Sequence, residues 1–171
     1  MKTASGQPLF IHDVAVRDGF QIEPRFVPTH DKIDLIDALS KTGLRKIEVT
    51  SFSSPKAIPA LADAAEVMQG IHRQPGLVYA AVVHNVRGAQ RALDCSVDEL
   101  NVVMSASLSH NLANLRMTPE QSLAGFREIA SLAANRAKVN ASLSTAFGCP
   151  FDGALPESQV LELIERILDI G

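Results

Sequence analysis

The chain has 171 residues, enough for one ordinary domain, and 46% of them are hydrophobic, so a sizeable core can be buried. With 16 basic and 19 acidic residues the net charge is −3, and no basic stripe is visible, which argues against nucleic acid as a partner. Cys95 and Cys149 stand far apart with no CxxC, which argues against a disulfide framework or a zinc knuckle and fits a reducing compartment.

No apolar run reaches membrane-spanning length, and "MKTASGQPLF" has no apolar segment of the export-signal kind. The expectation is a soluble, cytoplasmic protein with no membrane partner, an organellar matrix remaining open.

The predicted elements alternate. "LFIHDVAV" (9–16) is an apolar, β-branched strand. "THDKIDLIDALSKTG" (29–43) is a helix with Thr29 as N-cap, Ile33, Leu35, Ile36 and Leu39 as its apolar stripe, and Gly43 closing it. Strand "LRKIEVT" (44–50) precedes helix "IPALADAAEVMQGI" (58–71). Strand "LVYAAVVH" (77–84) precedes the short helix "VRGAQRALD" (86–94). Strand "ELNVVMSAS" (99–107) leads to the long helix 118–137, with Thr118 as N-cap and Pro119 at its first position. Strand "KVNASLST" (138–145) leads to helix 155–171, started by Pro156 and ended by Gly171.

Such alternation implies a parallel sheet with helices packed outside it. A doubly wound sheet and a (β/α)8 barrel of TIM type both satisfy it. No glycine-rich phosphate loop follows the first strand, which disfavours a dinucleotide fold. Polar residues collect where strands end: Arg17 and Asp18, Thr50 and Ser51, His84 and Asn85, Ser105 and Ser107, Ser144 and Thr145. That rim is where barrel enzymes keep their chemistry. In the fifth strand Lys138, Asn140, Ser142 and Ser144 alternate with Val139, Ala141 and Leu143, as in a polar barrel interior or an edge strand half in water. Five βα units are visible where a barrel has eight, so residues 1–171 read as one domain, the N-terminal part of a barrel that stops before its sixth strand.

Arg17 and Asp18 are the first chemical candidates. Neighbours on a strand point to opposite faces, so both reach one pocket only if the strand bends or ends there, and Gly19 permits a bend. The Asp offers a hard oxygen to a divalent cation, and the Arg a fork of donors for a carboxylate or enolate oxygen. A structural ion pair is the plainer alternative. Glu48 stands inside an apolar strand and needs a partner: Arg17 across the sheet, or else Lys46 or solvent. "SFSSPK" (51–56) is an anion-binding loop or a capped turn, and "FGCPFDG" (147–153) a rim loop whose Cys149 reads as packing rather than nucleophile. Of the five histidines only His84 is well placed for a site, and a satisfied structural His is the ordinary reading of it.

Taken together, "VRDGFQIE", "IEVTSFSSPK", "VVHNVRGAQRA" and "FGCPFDG", in this order and spacing, resemble the 3-hydroxy-3-methylglutaryl-CoA lyase family of the DRE-TIM metallolyases, over residues 9 to 171. The resemblance implies that Asp18 is a metal ligand, that Arg17 stabilises the developing enolate of acetyl-CoA, and that Glu48 orients Arg17. Gln21, Ser51, Asn85, Ser107 and Ser144 fall at pocket-lining positions. The implied reaction cleaves an acyl-CoA substrate to acetyl-CoA and a keto acid, with Mg²⁺ or Mn²⁺ whose other ligands lie outside this chain. The full-length protein is expected to be a homo-oligomer, a dimer. The chain departs from the family pattern at Val16, Thr145, Asn140, Ala141 and Ser142, which leaves a related acyl-CoA substrate open. A condensing relative (isopropylmalate-synthase-like or aldolase) and a catalytically incomplete half-barrel are the alternatives.

Overall fold

The computed structural model describes Gly6 and residues 9–171; most of the N-terminal segment read above for an export signal lies outside the described residues. Five parallel strands form one sheet: β1 (His12–Asp13), β2 (Lys46–Ser51), β3 (Val78–Val83), β4 (Glu99–Ser105) and β5 (Lys138–Ser144). Their spatial order is their chain order, β1-β2-β3-β4-β5. A doubly wound sheet reverses direction at a switch point. This one never does, and it has the strand order of a (β/α) barrel.

Alternation along each strand gives the sheet two chemically distinct faces. Ile47, Tyr79, Ala81, Val83, Leu100, Val102 and Met104 pack outward into the core with Ile36, Val67, Leu93, Leu123 and Ile129 from the helices. The opposite, inner face carries Glu48, Glu99, Asn101, Asn140, Ser142 and Ser144, in registers that pair Asn101 with Asn140 and Ser105 with Ser144. β2 pairs Glu48 with Ala80 but Ser51 with Val82, because the register shifts between Glu48 and Thr50. One unpaired residue, Val49, reverses the parity and brings Ser51 to the inner face, which strict alternation would deny it.

The helices are α1 (Phe20–Ile22), α2 (Thr29–Leu39), α3 (Ala64–Gly70), α4 (Val86–Asp94), α5 (Leu108–Leu115), α6 (Pro119–Ala133) and α7 (Glu157–Leu168). Thr118 caps α6 in a full capping box with Gln121. Asn85 caps α4 by accepting from Gly88 N at 2.9 Å. At Gly88 an added Cβ would stand 2.7 Å from the Phe52 carbonyl oxygen, so only glycine lets α4 lie this close to the end of β2.

Several expectations need correction. The first strand shrinks to two residues, and Ala15–Gly19 forms a π-helical turn in its place. Pro28, not Thr29, holds the N-cap position of α2; the Thr29 hydroxyl instead donates to Asp63 Oδ2 at 2.8 Å. Leu35 is exposed, and the position the stripe assigned to apolar packing goes to Lys32, whose ammonium binds Asp63 and the Ala60 carbonyl, each at 2.7 Å. The second predicted helix divides into a 3-10 turn, Pro59–Leu61, and α3. α5 had no predicted counterpart. Of its apolar row Leu108, Leu112 and Leu115, the first two are exposed and Leu115 alone packs against the core; the helix is anchored by Asn111, fully buried, which binds Ser105 N, the Met117 carbonyl and Ser122 Oγ.

Candidate active site

The π-helical turn settles how two adjacent charges share one site. On a helix neighbours diverge by about 100° rather than 180°, so Arg17 turns inward while Asp18 stays at the mouth. Gly19 has φ −63°, an ordinary helical value, so no glycine freedom is used there.

Arg17 Nε and Nη2 both lie 2.6 Å from Glu48 Oε1, and Nη1 binds the Asp18 carboxylate. The Glu48 side chain is 1% exposed, that of Arg17 19% and that of Asp18 60%. Glu48 Oε2 accepts from Asn101 Nδ2 at 2.7 Å. Asn101 Oδ1 in turn accepts from Asn140 Nδ2 at 3.0 Å and Ser142 Oγ at 2.9 Å. A continuous polar chain therefore crosses the inner face from β2 to β5. It explains the alternation of β5: its polar row completes this chain. A guanidinium has five N–H donors; three are taken here, and two remain on a side chain that lines a cavity.

That cavity, about 850 Å³, is lined by Arg17, Gln21, Ser51, His84, Asn85 and Ser144, together with Lys56 and Arg116 and the hydroxyls of Ser53 and Ser54. Three cations and no carboxylate line it among the described residues, so it favours an anionic ligand. Arg116 has φ +57°, a left-handed value that suits Gly or Asn better, at the C-terminal cap of α5. Burial, and then the charge of Arg17, hold the His84 imidazole below the usual His range.

Five of the eight predicted site residues, Arg17, Gln21, Ser51, Asn85 and Ser144, meet at this cavity; Asp18 and Glu48 bind Arg17 from its two sides. Ser107 stands apart from this lining. It caps α5 through His110 N and binds Asp152 Oδ2, with Cys149 Sγ 3.0 Å away, so its hydroxyl is engaged in fastening the loop after β5. Hydrogen bonds from Ser107 and Ser109 hold the Asp152 carboxyl below the usual range.

Asp18 offers a hard-oxygen donor at the open mouth, which suits a divalent cation. Among the described residues no group of three or more His, Cys, Asp or Glu could hold a metal ion, so Asp18 would be one ligand of a set completed elsewhere. No helix among the described residues is long and apolar enough to cross a membrane.

Two site features were missed by sequence reasoning. Asn101 had a signal: a lone amide in an apolar strand, two residues from Glu99 and so on the same face. Arg116 had only an indirect one: Leu108, Leu112 and Leu115 stand at helical spacing just before it, in a helix that was not read from the sequence.

The model of the HMGL-like family matches residues 9–171. The chain belongs to the HMGL-like family. It is 44% identical to the hydroxymethylglutaryl-CoA lyase YngG of Bacillus subtilis, over 94% of this chain and 54% of that one. To the cytoplasmic 3-hydroxy-3-methylglutaryl-CoA lyase of Rattus norvegicus it is 40% identical, over 98% of this chain and 50% of that one. The structure of an HMG-CoA lyase from Acinetobacter baumannii, in complex with coenzyme A and 3-methylmalate, superposes with a TM-score of 0.94 at 47% identity, covering 100% of this chain and 56% of that one. The HMGL-like chain thus spans about half the length of these relatives.

Proposed function

We propose that this chain carries one catalytic face of a carbon–carbon lyase that cleaves 3-hydroxy-3-methylglutaryl-CoA, or a close acyl-CoA analogue, to acetyl-CoA and a keto acid. The observation that carries the reading is Arg17: a guanidinium clamped on buried Glu48, with two N–H groups left at the wall of a cationic, hydroxyl-lined cavity. The relative that binds coenzyme A and 3-methylmalate supports it, because the phosphates of coenzyme A and the carboxylates of a hydroxy diacid call for such a lining. Residues 1–171 form one unit in this reading, the N-terminal part of a barrel, in a cytoplasmic enzyme.

The free N–H groups of Arg17 meet the thioester oxygen, where negative charge develops as the carbon–carbon bond breaks. Glu48 holds the guanidinium in place before substrate arrives, so this stabilisation needs no reorganisation during the reaction. Gln21, Ser51, Asn85 and Ser144 orient the acyl group by hydrogen bonds. When bound through Asp18, Mg²⁺ or Mn²⁺ supplies Lewis-acid stabilisation at the substrate's tertiary hydroxyl.

The test is an assay of the full-length gene product with 3-hydroxy-3-methylglutaryl-CoA and Mg²⁺ or Mn²⁺. Acetyl-CoA release is expected, with Arg17→Met lowering kcat by about 100-fold or more, the scale of losing one oxyanion donor. Condensation with a 2-keto acid, without cleavage, would identify the condensing relative instead.

A further inference from the structure

We propose that His84 recognises the acyl end of the substrate, its imidazole hydrogen-bonding an oxygen of the hydroxyacid that lies against Arg17. The inference rests on the lyase reading above and assigns to that site a residue it does not use.

The ordinary reading of a histidine at a strand end is a satisfied structural group, and the structure contradicts it. Among the described residues, His84 Nδ1 is the one buried side-chain nitrogen or oxygen without a hydrogen-bond partner. Buried polar groups are normally paired, and an orphan in a native fold calls for an explanation. Other imidazoles have one: His110 Nδ1 lies 2.7 Å from Ser105 Oγ, and His72 Nδ1 lies 2.6 Å from Asp37 Oδ2. The neighbouring inner-face positions of β3 are Ala80 and Val82, which offer no side-chain partner. The ring itself lines the cavity beside Arg17, Ser51 and Asn85.

A neutral imidazole carries one N–H donor and one acceptor. Burial and the nearby Arg17 keep His84 in that form. It can therefore donate to a substrate oxygen without placing a second cation against the guanidinium. Nδ1 is itself shut off from the cavity that the ring lines, and a turn about the terminal torsion of His, which is broad and roughly two-fold, brings it to the cavity wall.

The experiment titrates the chain with 3-hydroxy-3-methylglutarate by calorimetry, with the ring nitrogens of His84 followed by NMR. Wild type should bind and shift the His84 signals. His84→Leu should weaken binding roughly tenfold, the scale of one hydrogen bond to a charged group. His84→Asn, which keeps an amide near the place of Nδ1, should bind within about threefold of wild type. Because Nδ1 has no partner to lose, His84→Leu should melt no lower than wild type.

Equal binding by wild type and His84→Leu, a lowered melting temperature with unchanged binding, or no binding by wild type would each overturn the proposal. Cleavage by the full-length gene product is scored separately. Cleavage present with binding indifferent to His84 removes this proposal alone; cleavage absent with His84-dependent binding removes the lyase reading and leaves His84 as a carboxylate-binding residue.

Discussion

Asn101 Nδ2 donates to Glu48 Oε2 at 2.7 Å, across 53 residues of sequence and from β4 to β2. The two oxygens of Glu48 are thereby divided, one for the guanidinium that faces the cavity and one for the amide behind it. Asn101→Ala should leave the buried Glu48 Oε2 without a donor, while Asn140, which is exposed, and Ser142, which is half-buried, turn to water. A loss of about 2–3 kcal/mol is expected in urea unfolding, because unmet buried polar groups cost more than the bonds themselves contribute.

The Arg17–Glu48 pair should break asymmetrically. Arg17→Met strands a carboxylate that is 1% exposed, and a loss of about 3–5 kcal/mol is expected. Glu48→Gln leaves an arginine that is partly solvated and still bound to Asp18, so about 1–2 kcal/mol is expected after solvent screening. Denaturant midpoints of the two variants give the order; a larger loss in Glu48→Gln would show that Arg17, not Glu48, is the group that cannot stand alone.

Lys32 fastens α2 to the segment before α3 through Asp63, the Ala60 carbonyl and the face of Phe26, 4.2 Å from the ring centroid. Lys32→Met should cost about 3–5 kcal/mol by leaving Asp63 buried and unpaired. Adding Asp63→Leu to Lys32→Met should recover much of that loss, as a thermal melt of the double variant would show.

His12 and His84 both sit below the usual His range, His12 through burial and the nearby Lys46, His84 through burial and Arg17. The unfolded chain protonates its histidines near pH 6.5, about where the folded chain still does not. These groups' contribution is therefore intact above that pH and lost as pH falls toward the lower folded values. Urea midpoints between about pH 7.5 and about pH 5 should fall in the wild type and fall less in His12→Asn combined with His84→Asn. An identical slope in the double variant would assign the acid sensitivity to other groups.

Much of this was legible beforehand, for physical reasons. The β-helix alternation and the cap at Thr118 are local, and local chemistry decided them. The pairing of Arg17 with Glu48 followed from the cost of a carboxylate inside a strand. The misses came from non-local causes. Lys32 was not singled out, because what buries it is Asp63, 31 residues away in sequence. The reversal of parity at Val49 leaves no compositional trace, so Ser51 was placed at the rim without a reason for facing inward. α5 has Leu108, Leu112 and Leu115 at helical spacing, but two of the three face solvent and the helix is held by one buried asparagine, an anchor that periodicity does not detect.

The metal should show its incompleteness directly. If Asp18 is the one metal ligand among the described residues, as proposed, titration of the isolated chain with Mg²⁺ or Mn²⁺ should give no stoichiometric heat at micromolar concentrations, and Asp18→Asn should leave the titration unchanged. Tight one-to-one binding would require further ligands beside Asp18 and would overturn that assignment.

Because strands neighbour one another in the order they are synthesised, each finds its partner immediately upstream, and pairing can advance with the ribosome. The polar chain across the inner face does not share that schedule. Glu48 can meet Arg17, 31 residues before it, as soon as β2 forms, but its amide partner arrives 53 residues later. In the interval one carboxylate oxygen must keep its water. The hydrophobic side of the sheet is then assembled strand by strand, while its polar side is completed in two later stages, first when β4 brings Asn101 and then when β5 brings Asn140 and Ser142.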